Sequence, residues 1–160
     1  MSANCKELVE FRKNIEKLNK EQKEEFLESC CKELAARLLA KVIKRTPTDS
    51  GTLRRGWTTS ATGDAKHDTK QAMYENMFGG AQRVSKSKME VKHVGDKYII
   101  DIVNPVEYAA YVEYGHRTRD HKGWVEGHHM LTISEAELNS MSDAILQKKL
   151  NKFIKDVFDV

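Results

Sequence analysis

The chain has 160 residues, and its 27 Lys and Arg residues against 24 Asp and Glu residues give a formal net charge of +3 at pH 7. This length is most simply one domain, spanning residues 1–160. The near balance of charge argues against a dedicated nucleic-acid-binding protein, because such proteins usually show a clear basic excess on one face.

Residues 6–45 are predicted to form a long N-terminal helix, because apolar residues recur three and four positions apart. The stripe consists of Phe11, Ile15, Leu18, Leu27, Cys31, Leu34, Leu38 and Val42, widened by Phe26, Cys30, Ala35, Leu39 and Ile43. Its breadth indicates cover on more than one side, by a sheet or by a neighbouring subunit. Thr46-Pro47 should end the helix, since proline disfavours helical geometry in the residue before it.

Residues 49–51 have the composition of a turn. Leu53 and Trp57 are the apolar anchors of the stretch that follows, which the sequence leaves open as strand or helical turn. Residues 60–88 are rich in Gly, Ser, Thr, Lys and Asp. A loop of this length is unusual inside a compact domain. The segment 60–88 is therefore either a flexible arm or a segment that orders against another subunit, and we favour the flexible arm, which could reach a neighbour.

Residues 89–103 give the clearest strand signal, with apolar and polar residues alternating on either side of Gly95-Asp96. This dipeptide predicts a two-residue hairpin turn, in which glycine supplies a positive φ. The second strand is apolar on both faces and is expected to be covered on both sides. Asn104-Pro105 should end it.

Two helices are predicted after the hairpin. A short one places Tyr108, Tyr111 and Val112 on one face and ends at Gly115. A longer one, 134–158, begins at a capping box formed by Ser134 and Glu137. The fold class expected is therefore α+β, with long N- and C-terminal helices packed on a small antiparallel or mixed β-sheet.

Three cysteines, two of them adjacent, predict no disulfide framework and fit a reducing cytoplasm. Cys30 and Cys31 are interpreted as small buried residues of the first helix. No apolar run approaches the roughly 20 residues that span a bilayer, and residues 1–10 lack the apolar stretch of a signal peptide. We expect synthesis in a cytoplasm and no membrane contact.

Two segments combine a glycine turn with aromatic anchors. One is residues 45–57, which end in Leu-Arg-Arg-Gly-Trp; the other is residues 108–116, followed by Gly-Trp-Val and two histidines within 122–130. Neither contains a nucleophile elbow or a phosphate-cradling loop. The combination suits a chain that fits against copies of itself.

These segments resemble those of a family of minor structural proteins from long-tailed bacteriophages, whose members are similar to gene product ten of the phage Hong Kong ninety-seven. The matching positions are Pro47, Asp49, Gly51, Leu53, Arg54, Arg55, Trp57, Tyr108, Ala109, Tyr111, Val112, Glu113, Gly115, Gly123, Trp124 and Val125. The order and spacing of both segments carry the resemblance.

The resemblance implies a virion assembly protein, made in the bacterial host cytoplasm, with no catalysis and no cofactor. Copies would form a ring, expected to be a hexamer, at the head–tail joint or top of the tail. Its partners there would be the tail terminator or tail tube and the head connector proteins. The candidate interface residues are Leu53, Arg54, Arg55, Trp57, Tyr108, Tyr111, Tyr114, Arg117, Arg119 and Trp124.

Two alternatives stay open. A metal-dependent enzyme would use His116, His121, His128 and His129, but their spacing matches no two-histidine helical motif and nearby basic residues disfavour a cation. A nucleic-acid-binding accessory protein would use the basic loop with Trp124, for phosphate contact and stacking. The same residue types anchor protein interfaces, and DNA in transit would be held weakly.

Overall fold

The computed structural model describes residues 20–49, 51–60 and 89–158. In chain order the elements are helix α1 (Lys20–Arg45), helical turn α2 (Thr52–Arg55), strand β1 (Thr58–Ser60), strands β2 (Lys92–Val94), β3 (Lys97–Ile99) and β4 (Asp101–Val103), helix α3 (Ala109–Tyr114), strands β5 (Gly115–Arg117) and β6 (Trp124–Glu126), and helix α4 (Met130–Phe158). Long N- and C-terminal helices with small antiparallel sheets confirm the predicted α+β class.

Helix α1 ends at Arg45, directly before Thr46-Pro47, where proline was expected to stop it. The buried Thr46 hydroxyl donates to the Val42 carbonyl at 2.7 Å and satisfies one acceptor of the last turn. The part of the predicted helix before residue 20 lies outside the described residues.

The core lies at the C-terminal end of α1. Its members are buried apolar side chains from α1, from the segment after it, from the start of the β region and from the start of α4: Ala35, Leu39, Val42, Leu53, Trp57, Met89 and Met130. Half-buried residues of β4, α3 and the loop between them pack around this cluster. One core therefore joins α1, the β region and α4.

The described strands form three separate antiparallel pairs, not one sheet. Gly95 turns β2 into β3 with a φ of 59°, which confirms the predicted hairpin turn. The expected second strand is divided at Ile100, and its second half, β4, pairs with β1. Residues 58–60 are therefore a strand, and the rest of the predicted arm, 61–88, lies outside the described residues.

The predicted start of the C-terminal helix was wrong. Helix α4 begins at Met130, about one turn before Ser134. The fully buried Ser134 hydroxyl donates to the Met130 carbonyl at 2.6 Å. Glu137 binds Lys41 at 2.8 Å and also Arg45 of α1. The supposed capping box is thus a link between the two long helices.

Helices α1 and α4 run antiparallel. Arg45 meets Ser134 near the start of α4, and at the other end Phe26 stacks on Phe153 with ring centroids 4.4 Å apart. Lys149 adds a hydrogen bond of 2.7 Å to the Ser29 carbonyl. This pair forms the long axis to which the smaller elements attach.

Candidate protein interface

Helix α3 presents a row of tyrosines to solvent. Tyr111 and Tyr114 are 60% and 63% exposed, and Tyr108 is also exposed. Val112, expected on the same face as Tyr111, instead packs against the core. The helix therefore packs Val112 against the core and exposes its tyrosine rings to solvent.

Strands β5 and β6 continue this surface as a hairpin. The register sets Arg117 opposite Trp124 and His116 opposite Val125. Trp124 is 57% exposed, and its three hairpin neighbours are exposed as well. The His116 ring meets Tyr111 edge-on with ring centroids 5.8 Å apart, so the tyrosine row adjoins the His116/Val125 face, and Arg117 and Trp124 project from the opposite face of the hairpin. We call this set of exposed residues, Tyr108, Tyr111, Tyr114, Arg117, Arg119 and Trp124, the aromatic platform.

The tip of the hairpin is a tight polar turn. The Thr118 N–H donates to the Gly123 carbonyl at 3.1 Å, and the Gly123 N–H donates to the Thr118 hydroxyl at 2.9 Å. Asp120 accepts from the Thr118 hydroxyl at 2.5 Å and from the Lys122 N–H at 3.3 Å. These hydrogen bonds, the one from Thr118 foremost, lower the pKa of Asp120. Arg119 and Lys122 thus sit on an ordered tip.

The base of the hairpin is a close crossing of backbone. A Cβ on Gly127 would lie 2.3 Å from the Glu113 carbonyl oxygen, and one on Gly115 would lie 2.5 Å from the Val125 oxygen. Gly115 ends α3 with a φ of 85°, as expected of its C-cap. The N–H groups of His128 and His129 donate to the Val112 and Glu113 carbonyls at 2.7 and 3.0 Å. A Cβ at either Gly115 or Gly127 would clash with the backbone opposite, so both positions need glycine for the two chain segments to lie this close.

Glu113 locks the platform onto α4. Its buried carboxylate accepts from the Leu131 and Thr132 N–H groups at 2.9 and 3.0 Å, and from the Thr132 hydroxyl at 2.9 Å. It therefore caps the helix from α3 and satisfies N–H groups that lack a partner within the helix. Burial alone would raise the pKa of Glu113, but these hydrogen bonds together lower it.

The segment around α2 holds the other predicted interface residues, and two of them are buried. Leu53 and Trp57 are each only 5% exposed and belong to the core. The Trp57 indole N–H donates to the Thr46 hydroxyl at 2.8 Å. Arg54 and Arg55 are half-buried beside them, and Arg54 reaches the Thr48 hydroxyl at 3.5 Å. Since Leu53 and Trp57 offer no surface, this segment supports the fold from inside.

Asn104 connects this segment to α3. Its side-chain amide donates to the Leu53 carbonyl at 2.8 Å, and its Oδ1 accepts from the Val106 N–H at 3.2 Å. The sequence identified Asn104 only as the end of a strand and Glu113 only as a motif position. The available signal was the type of residue: a carboxylate among tyrosines, and an asparagine before proline.

The histidines proposed as metal ligands are spread along the hairpin and its base. His121 lies in the tip turn and His129 at the base, both with positive φ, of 58° and 47°. Within residues 20–49, 51–60 and 89–158, no three His, Cys, Asp or Glu side chains are grouped to hold a metal ion.

Burial raises the pKa of both thiols, Cys30 and Cys31, in α1. No helix in the described ranges has the length and apolarity to cross a membrane.

The sequence matches the HK97-gp10-like family, described as "Bacteriophage HK97-gp10, putative tail-component", over residues 9–115. This is more than half of the 160 residues, so the chain belongs to that family of bacteriophage tail components. Its role is structural and its place is the virion. The match ends at Gly115, where the β5–β6 hairpin begins. No curated protein and no solved structure matched the chain.

Proposed function

We propose that this tail component is a tail-completion protein, whose copies form a ring at the head–tail joint or the top of the tail. Six copies are expected, between the tail terminator or tail tube and the head connector. It is a structural protein without enzyme activity. The observation that carries the proposal is the aromatic platform: exposed tyrosines and a tryptophan beside arginines, in a protein of a tail-component family.

The composition of the platform suits a protein interface. Tyr, Trp and Arg are the residues that dominate binding energy when they are buried between partners. Exposed apolar surface beyond scattered single residues marks interaction sites in soluble proteins. The assembly surface comprises Tyr108, Tyr111, Tyr114, Arg117, Arg119 and Trp124.

The rigidity of the platform supports the same function. Its base is fixed by Glu113, by the Gly115–Gly127 crossing and by two backbone hydrogen bonds to α3. A surface held in place before binding loses less conformational entropy on association. Subunits that meet through two different patches close into a ring when the rotation between them closes.

A weak contact with DNA in transit is the second candidate. The exposed Arg117, Arg119 and Lys122 lie on the same hairpin as Trp124 and provide cations beside a stacking ring. Such binding would weaken steeply as salt rises, because phosphate contacts release counterions. Titration with duplex DNA at two salt concentrations tests it, and binding that ignores salt excludes it.

Particles produced without this protein test the main proposal. We expect electron micrographs to show filled heads and finished tails that have not joined. Supplying the wild-type chain should restore joined particles, as should Val94→Ala, which trims an exposed side chain on the other hairpin. Supplying Tyr111→Ala with Tyr114→Ala should not restore them. Joined, infectious particles in the complete absence of the chain would contradict the proposal.

A further inference from the structure

The Arg117/Trp124 face of the β5–β6 hairpin lacks a cover among the described residues. Directly opposed residues of an antiparallel pair project from the same face, so the cation and the indole stand side by side. A two-stranded hairpin is marginally stable in water unless a face packs against something. An exposed tryptophan at this position therefore indicates a surface that is completed by association.

A groove between α1 and α4 has the complementary chemistry. Its volume is about 490 Å³, and its lining residues are Leu34, Leu38, Thr132, Glu135, Ala136, Leu138, Asn139 and Ser142. The leucines make its floor apolar, and the small Ala136 leaves room beside them. Glu135 is the one charged residue of the lining, and it is exposed.

We propose that the Arg117/Trp124 pair of one copy docks into the α1–α4 groove of a second copy. The indole lies on Leu34, Leu38 and Leu138, and the guanidinium pairs with Glu135. This inference rests on the proposed self-assembly and names the second patch of its interface. It replaces the patch around Leu53 and Trp57, which the core occupies.

Charge favours this groove over a second cleft between the same helices. That cleft, of about 660 Å³, is larger and also has apolar walls. Its charged lining consists of Arg37, Lys148, Lys149 and Lys152 against Glu25, Glu33 and Asp156. Four cations against three carboxylates offer Arg117 no net attraction, whereas Glu135 stands alone among neutral residues.

Among the described residues of one copy neither patch is covered, and the hairpin does not line the groove of its own copy. A contact between two different patches on identical subunits is head-to-tail, and repetition of it gives a closed ring or a filament. A second copy is thus the occupant that the charge pattern and the geometry favour together. The hairpin after Gly115 and the whole α4 wall of this groove lie beyond the family match.

Blocking the groove is the first test. Ala136→Arg fills it and opposes Arg117, whereas Ala144→Arg places the same side chain on an exposed position of α4 that does not line it. We expect the first variant to lower the yield of joined particles about tenfold or more, as loss of an interface hot spot does. The second should match wild type. Equal yields from both variants overturn the proposal.

A charge exchange is the second test. Arg117→Glu and Glu135→Arg should each reduce joined particles, and the double variant should recover a large part of the loss, because the pair is restored in reverse. Circular dichroism of the purified full chain shows that each variant is folded. Losses that merely add in the double variant overturn the direct pairing.

A photo-crosslinking amino acid in place of Glu126, an exposed residue two positions after Trp124 on β6 and so on the same face, locates the partner directly. Assembled particles are prepared from an equal mixture of isotopically light and heavy full-length chains, so that links between copies are recognised by mixed-isotope peptides. We expect links to residues 34–38 and 132–142 of the second copy. Joined particles whose links lead only to other virion proteins, or to another surface of the second copy, overturn the docking while leaving the tail-completion function intact.

Discussion

Two segments that share a pattern of arginines and tryptophan lie in opposite environments. The segment around α2 and the segment from α3 through the β5–β6 hairpin each combine arginines with a tryptophan next to a glycine. Trp57 is buried in the core, whereas Trp124 is largely exposed. The difference teaches that residue type alone does not separate an anchor of the fold from an anchor of an interface.

Two features of its surroundings allow Trp57 to be buried. The Trp57 indole N–H has the Thr46 hydroxyl within 2.8 Å, so the ring can be buried without an unsatisfied donor. Gly56 leaves no Cβ in the way, since one would lie 2.5 Å from Asn104 Oδ1. In the second segment Gly123 lies in the tip turn and Gly115 at the base of the hairpin, and Trp124 remains exposed.

The largest effect should come from removing the buried tryptophan. Trp57→Ala is expected to lower the free energy of unfolding by about 3–5 kcal/mol, because it deletes apolar contacts and leaves a cavity. Urea denaturation followed by circular dichroism measures it. Should Trp57→Ala and Trp124→Ala destabilise equally, the contrast between the two segments would be wrong.

Removing the carboxylate beneath the platform should cost less. Glu113→Gln is expected to lower the free energy of unfolding by about 1–3 kcal/mol, because a buried charged acceptor of three hydrogen bonds is lost. Glu137→Gln is the control, since it removes a carboxylate that joins α1 and α4 near the surface. Equal losses of unfolding free energy in both variants would argue against Glu113 as the residue that fixes the platform to α4.

The loss in Glu113→Gln should also depend on pH. The folded protein lowers the pKa of Glu113, so the stabilisation is complete above the unfolded value of about 4.3 and disappears as pH falls through the folded value. Wild type and Glu113→Gln should therefore differ most near neutral pH and converge in acid. Denaturation at several pH values measures this difference in unfolding free energy. A difference that grows as the pH falls would contradict the prediction.

Adding a methyl group at the Gly115–Gly127 crossing should have a moderate effect on stability. Gly127→Ala places a methyl group against the Glu113 backbone and should lower stability by about 1–3 kcal/mol, as overpacking does. Gly123→Ala meets only the Thr118 side chain, at 3.2 Å and beyond, and should be milder. Thermal unfolding of the two variants ranks them, and the opposite order would contradict the crossing.

The smallest effect on stability should come from the exposed tryptophan. Trp124→Ala is expected to change the free energy of unfolding by about 0.5 kcal/mol or less, as surface substitutions usually do. The same variant should lower the yield of joined particles. Loss of both stability and joining would place Trp124 with Trp57 in the fold, and would remove it from the interface.

The sequence predicted those features that depend on neighbouring residues. Pro47 ends α1, Gly95 makes the hairpin turn, and Gly115 caps α3, because each acts on the backbone beside it. The α+β class followed from the periods of the apolar residues. All of these need only local information.

Features set by distant residues could not be predicted. Ser134 and Glu137 have the spacing of a capping box, but the cap of α4 is Glu113, which precedes it by a whole hairpin. Residues 99–103 are apolar except for Asp101 and offer two usable faces, so their pattern could not show that β4 would pair with β1. Trp57 and Trp124 each follow a glycine in the sequence, and the positions of Thr46 and Asn104 in space, which the sequence does not reveal, favour the burial of Trp57.

The Gly115–Gly127 crossing has one further consequence. It fixes the direction of the hairpin to the first turns of α4, and those same turns form one wall of the groove that we propose receives it. The bend angle between successive copies would then be encoded in this short stretch of helix. Inserting a single residue between Gly127 and Met130 would change the direction of the hairpin relative to α4 and would thereby alter the curvature of the whole assembly.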